Sequence, residues 1–217
     1  MAEKKLRVHI PDKGFITALR TEAERPGAWT FVYAPGAGAN LHDPFGVYAC
    51  RELAKRGVTA VRFQFPYMEA GKRAPDRPAV LEVAWRAVID AVRPAGGKLV
   101  VGGRSMGGRI ASQVMAAGEK ADALALFAYP LHPPGRPEQA RDEHLPSIKA
   151  RVLFCSGTND AFASPDELRA AAAKVRRAKV HLLEGADHGF SVPKSSGRTR
   201  EDVWAEAVEV FAKWLLR

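Results

Sequence analysis

The sequence predicts an α/β fold: a mostly parallel central sheet with helices on both faces and an antiparallel hairpin at its N-terminal edge. Three observations predict it. From Trp29 onward, short apolar runs of strand character alternate with segments of helical period, and that order builds βαβ crossovers. Ahead of the alternation, Leu6–Ile10 and Phe15–Thr21 read as two strands joined by Pro11-Asp12-Lys13-Gly14, a turn-forming tetrapeptide. In the middle of the chain, Leu99-Val100-Val101-Gly102-Gly103-Arg104-Ser105-Met106-Gly107-Gly108 runs from strand to helix through glycines, with one serine at the corner.

Each element has its own signal. Trp29–Ala34 is apolar throughout, as a strand covered on both faces should be. Asp43-Pro44 opens a helix to about Arg56, with proline in its first turn. Thr59–Phe65 reads as a strand ended by Pro66, and Met68–Arg77 as a polar loop. Pro78–Val92 places Leu81, Ala84, Val88, Ala91 and Val92 at helical spacing. The helix after Ser105 runs to about Ala117. Ala123–Tyr129 is a strand, and Leu131-His132-Pro133-Pro134-Gly135-Arg136-Pro137 begins a rigid excursion that ends before Leu145. Val152–Ser156 is a strand left by Gly157-Thr158-Asn159-Asp160. Pro165–Val175 is a helix capped by Ser164. Val180–Leu183 is the last strand, followed by Asp187-His188-Gly189-Phe190. Glu201–Arg217 closes the chain as a helix with Trp204, Val208, Phe211 and Leu215 on one stripe.

Composition narrows the classes. A chain of 217 residues, 47% hydrophobic and 26% charged, suits one globular domain spanning 1–217. No apolar run reaches the 18 or so residues of a membrane span. Met-Ala-Glu-Lys-Lys-Leu-Arg has no apolar stretch behind its charges, so the expectation is a cytoplasmic protein. Cys50 and Cys155 are the only cysteines and read as reduced thiols. The net charge is +9. The basic residues are scattered, and the short clusters near Lys174–Lys179 and Lys194–Arg200 have no interleaved aromatics. They read as solvated surface rather than as a nucleic-acid site. No oligomeric state is legible.

In a sheet of this kind, chemistry gathers at the C-terminal strand ends. Gly103-Arg104-Ser105-Met106-Gly107 fits the strand–turn–helix pattern G-x-S-x-G, which lifts the serine hydroxyl above the sheet edge. A serine hydroxyl needs a base, and histidine suits that task. The histidine needs a carboxylate on its other nitrogen to fix its tautomer. Ser105, Asp160 and His188 follow three strands in that chain order. Asp166 and Asp187 remain alternatives for the acid. The other seven serines are not expected to have a histidine partner. An oxyanion needs preorganised N–H donors: the Met106 amide is one, and the loop Pro35-Gly36-Ala37-Gly38 offers the Ala37 amide as the second. Gly36 and His132 are candidate substrate-facing residues; His42 is a further pocket candidate that, like His132, reads more readily as a bystander, and His9 and His181, in strands away from the loop edge, read as structural. No metal or organic cofactor is implied.

At these residues the chain resembles the α/β-hydrolase superfamily, in its small dienelactone-hydrolase-like branch. Pro35-Gly36-Ala37-Gly38, Gly103-Arg104-Ser105-Met106-Gly107-Gly108, Gly157-Thr158-Asn159-Asp160 and Asp187-His188-Gly189-Phe190 carry the likeness. The resemblance implies a Ser-His-Asp hydrolase of carboxylic esters or related acyl compounds, acting on a small molecule and lacking a large lid. A thioesterase or peptidase on the same triad is the alternative within the class. A non-catalytic binding protein of the same fold is the alternative outside it. Dienelactone hydrolase itself uses cysteine where this chain has Ser105, which counts against that particular substrate.

Overall fold

The computed structural model describes residues 3–25 and 27–217. Its strands are β1 (Glu3–Ile10), β2 (Gly14–Thr21), β3 (Trp29–Ala34), β4 (Thr59–Phe63), β5 (Lys98–Arg104), β6 (Ala123–Phe127), β7 (Arg151–Gly157) and β8 (Ala178–Leu183). They form one eight-stranded sheet in the order β1-β2-β4-β3-β5-β6-β7-β8. β1 pairs antiparallel with β2, and β2 with β4; every other pairing is parallel. The hairpin thus sits at one edge, and the parallel part carries β5 near its middle.

The helices are α1 (Pro44–Lys55), α2 (Pro66–Glu69), α3 (Pro78–Val92), α4 (Met106–Ala116), α5 (Pro165–Ala173) and α6 (Arg200–Leu215). α1 and α6 cover one face, through Phe45, Leu53, Phe211 and Leu215. α3, α4 and α5 cover the other, through Leu81, Trp85, Ile110, Val114 and Leu168. β3 is buried at all six positions, as expected for a strand sandwiched between the two helix layers.

The chain departs from its sequence pattern in several places. Thr59–Phe65 is a strand only to Phe63, because Pro66, expected only to end the strand, starts the short helix α2, which runs into the stretch expected as a loop from Met68. Ala123–Tyr129 ends at Phe127, since Ala128 turns to φ 49°. On α3 the buried stripe is Leu81, Ala84, Trp85, Val88, Ile89 and Val92, and Ala91 faces solvent. α5 stops at Ala173, and α6 runs Arg200–Leu215 after a Thr199/Asp202 capping box. No helix among the described residues is long and apolar enough to cross a membrane.

Candidate active site

The corner between β5 and α4 explains its glycines. A Cβ on Gly103 would lie 2.1 Å from the Ala34 carbonyl oxygen, and one on Gly107 2.3 Å from the same atom. The corner can therefore pack on the end of β3 only without side chains there. Between them Ser105 sits at φ 52°, ψ −121°, a region that L-residues occupy at a cost. Its amide donates to Phe127 O at 2.9 Å, which ties the strained residue to β6.

His188 Nε2 lies 2.9 Å from Ser105 Oγ, and His188 Nδ1 lies 2.9 Å from both Asp160 carboxylate oxygens. Three residues spread over 83 positions of chain thus form one continuous row of hydrogen bonds. The carboxylate fixes the polarity: Nδ1–H donates to Asp160, so Nε2 is free to accept from the serine hydroxyl. Asp160 is only 5% exposed, and its Oδ1 also accepts from the Phe162 amide at 2.9 Å. The Phe162 ring stacks on the His188 imidazole with centroids 4.1 Å apart.

The loops bearing the acid and the base are laced together. A Cβ on Gly157 would meet Ala186 O at 1.9 Å, so the end of β7 fits against the loop after β8 only as glycine. Thr158 N donates to Leu183 O and Asn159 N to Ala186 O, while Thr158 Oγ1 accepts from Gly185 N at 2.8 Å. Phe190, at φ 61°, is buried against Phe45 of α1 and anchors the far end of the histidine loop. The other two candidate acids have different work. Asp187 Oδ1 accepts from the amides of Gly189 and Ser191, shaping the loop, and Asp166 pairs with Arg169 on α5.

The β3–α1 loop reaches the serine from the opposite side. A Cβ on Gly36 would stand 3.5 Å from Ser105 Cβ. The Ala37 amide has no acceptor among the described residues, and Met106 opens α4, where an amide has no partner within the helix. Neither N–H group has a protein acceptor among the described residues. His132 behaves differently from a residue open to substrate. It is 6% exposed, with Nδ1 2.8 Å from Pro133 O and Nε2 3.2 Å from Glu167. Burial opposes its protonation, yet the Pro133 carbonyl and Glu167 prevail and hold its pKa above the usual value. Glu167, hydrogen-bonded to Ser164 and His132, is held down at about 2. His42 lies exposed in the loop ahead of α1.

One expectation needs correcting. Ser112, on α4, also has a histidine: His144 Nε2 lies 2.7 Å from its Oγ. Ser112 is 0% exposed, and its hydroxyl donates to Arg109 O at 2.7 Å, so the imidazole must be the donor to it. Sequence reasoning also passed over Phe162 and Tyr67, and it quoted Thr158 and Asn159 without giving them a role. For Thr158 and Asn159 the turn chemistry of Gly-Thr-Asn-Asp was the available signal. Among the described residues no group of three or more His, Cys, Asp or Glu side chains converges as metal ligands do.

A sheet of this order, with serine, aspartate and histidine on the loops after β5, β7 and β8, is the architecture of an α/β hydrolase. The chain belongs to the α/β-hydrolase family: residues 27–216 match the alpha/beta hydrolase domain. By family it is a hydrolase. Its fold is similar to that of an alpha-beta serine hydrolase homologue from Coxiella burnetii, with a TM-score of 0.76, 17% identity, and 96% of this chain and 97% of that one covered. It is similar to a serine hydrolase without a lid from Xanthomonas campestris, at TM-score 0.73, 19% identity and 99% and 95% coverage. It is also similar to dienelactone hydrolase from Anabaena variabilis, at TM-score 0.78, 16% identity and 99% and 97% coverage.

Proposed function

We propose that this protein is a serine hydrolase, in one domain spanning 1–217, that cleaves carboxylic esters of small acyl compounds through Ser105, His188 and Asp160. The observation that carries the reading is the unbroken row Ser105–His188–Asp160, with 2.9 Å at each step. Ser105 Oγ attacks the acyl carbonyl while its proton passes to His188 Nε2, and Asp160 stabilises the imidazolium. The carbonyl oxygen becomes an oxyanion, held by the Ala37 and Met106 amides. The imidazolium returns its proton to the departing alkoxide, and the alcohol leaves an acyl-serine. Water, deprotonated by the same histidine, repeats the sequence and frees the acid. The reading calls for no cofactor. It assigns His132 and Glu167 to anchoring the segment after β6, and Gly36 to close approach beside the nucleophile.

Short acyl chains should be preferred. The two cap candidates add little over the strand ends: Met68–Pro78 holds only the second half of a four-residue helix, and Leu131–His144 holds one 3-10 turn. With little apolar surface to cover them, extra methylenes gain little of the ~0.8 kcal/mol each that burial would give. The test is a series of p-nitrophenyl esters from acetate to palmitate, alongside labelling with a fluorophosphonate. Single labelling at Ser105 and kcat/KM highest for the short esters are expected. A wild-type protein inert to both reagents would remove the hydrolase reading. A kcat/KM that climbs to the sixteen-carbon ester would remove the short-chain preference alone.

A further inference from the structure

Tyr67, in the short helix α2, touches the loop that carries the Ala37 amide. Its ring is 1% exposed and stacks on Phe65 with centroids 6.4 Å apart. Its hydroxyl oxygen accepts from the Gly38 amide at 2.9 Å. Gly38 follows Ala37 directly, and Gly36, on the other side of Ala37, is the glycine whose Cβ would stand 3.5 Å from Ser105 Cβ. The phenol is therefore tied to the same three-residue loop that borders the nucleophile. Accepting from Gly38 uses one lone pair and leaves the hydroxyl proton, which meets no acceptor among the described residues. A tie to Gly38 needs only an acceptor; a tyrosine placed there supplies a donor as well, and buried tyrosine hydroxyls find partners for both. Burial raises the phenol's pKa above its ordinary value, against the pull of the Gly38 hydrogen bond, so it stays protonated around neutral pH.

We propose that Tyr67 completes the oxyanion hole: its oxygen holds the Gly36–Gly38 loop so that the Ala37 amide faces the reacting carbonyl, and its proton is a further donor to the oxyanion. The inference rests on the serine-hydrolase reading. The test begins with Tyr67→Phe, assayed on a short p-nitrophenyl ester. A donor that acts in the transition state should cost kcat about 10–100-fold with KM within about twofold. The Ki of a trifluoromethyl ketone, whose adduct on Ser105 places an oxyanion in the hole, should rise in the same proportion. Incorporation of 4-aminophenylalanine at position 67 keeps a donor on the same ring and should recover a large part of kcat. Unchanged kcat and ketone affinity in Tyr67→Phe would overturn the proposal, as would equal losses with phenylalanine and 4-aminophenylalanine. Should Tyr67→Phe fail to fold, O-methyltyrosine, which keeps the oxygen and lacks the proton, replaces it in the comparison. Activity equal to that of the 4-aminophenylalanine enzyme would then overturn the proposal, and a lower kcat would support it. A wild type that neither labels at Ser105 nor turns over ester defeats the hydrolase reading and this inference with it. A wild type that does both, with an unaffected Tyr67→Phe, defeats this inference alone.

Discussion

Two serine–histidine pairs lie seven residues apart, one at the corner before α4 and one within it, and they are opposites. Ser105 meets His188 at 2.9 Å, and Ser112 meets His144 at 2.7 Å. By distance alone the second pair is the better one. In the first, the serine stands on a strained turn at φ 52° and the far nitrogen of the imidazole is held by Asp160. The proton therefore runs from serine toward histidine. In the second, Ser112 is wholly buried, its proton is committed to Arg109 O, and among the described residues no carboxylate bonds the other nitrogen of His144. The proton there runs from histidine to serine. Contact between the two side chains thus does not make a nucleophile. Backbone exposure and a carboxylate behind the base do.

The largest effects should separate the pairs most cleanly. Ser105→Ala is expected to abolish fluorophosphonate labelling and lower kcat by about 10⁶, the scale on which loss of a triad serine acts. Ser112→Ala should leave kcat within about threefold. Its cost should appear in stability, at about 1–2 kcal/mol, because the half-buried His144 N–H loses its acceptor. Urea unfolding and active-site titration of both variants measure the contrast. A Ser112→Ala enzyme that folds like wild type and loses labelling would break it.

Asp160→Asn comes next. It keeps the size of the side chain but removes the charge that sets the His188 tautomer, making the first pair resemble the second. A fall in kcat of about 10⁴ is expected, with labelling slowed to match. The Phe162 amide can still donate to the amide oxygen of the new side chain, so the melting temperature should change little. A drop of less than tenfold in kcat would mean that the carboxylate is not what distinguishes the pairs.

The Ser105–His188 pair was legible because its signals are local. Gly103 and Gly107 flank Ser105 at spacings that the clash with Ala34 O demands, and Asp160 and His188 each follow a strand end directly. The second pair depends on tertiary structure: Ser112 and His144 lie 32 residues apart, and their meeting depends on how the chain after β6 folds back over α4. Tyr67 was hidden for the same reason, since its partner Gly38 lies 29 residues earlier. Short elements were the weak point of the fold reading. The three-turn stripe of α3 announced itself, although Trp85 and Ile89, rather than Ala91, complete it. The four-residue α2 was hidden behind a proline that read as a stop.

The smallest effect concerns pH and sets His144 against His132. Both fasten the segment after β6, one to α4 and one to α5. Burial, aided by the Arg109 charge and opposed by Asp142, lowers the pKa of His144. In the folded protein it therefore resists protonation, while in the unfolded chain it titrates near 6.5. The unfolded state then binds more protons as pH falls, so the contribution of His144 to stability is intact above about pH 6.5 and is lost below it. His132 has the reverse sign: with its pKa raised, its contribution is full below about 6.5 and fades as pH rises through the folded value. Glu167, at about 2, stays ionised throughout and adds no slope in this window. His144→Gln keeps an N–H for Ser112 and cannot titrate. The stability of wild type minus that of His144→Gln should fall from pH 7.5 to 5.5, with a slope no steeper than about 1.4 kcal/mol per pH unit, the limit for one proton. Urea midpoints at four or five pH values would show it. A difference that grows on acidification would mean that Asp142, rather than burial and Arg109, governs the second imidazole, and that the two pairs are closer in character than their geometry says.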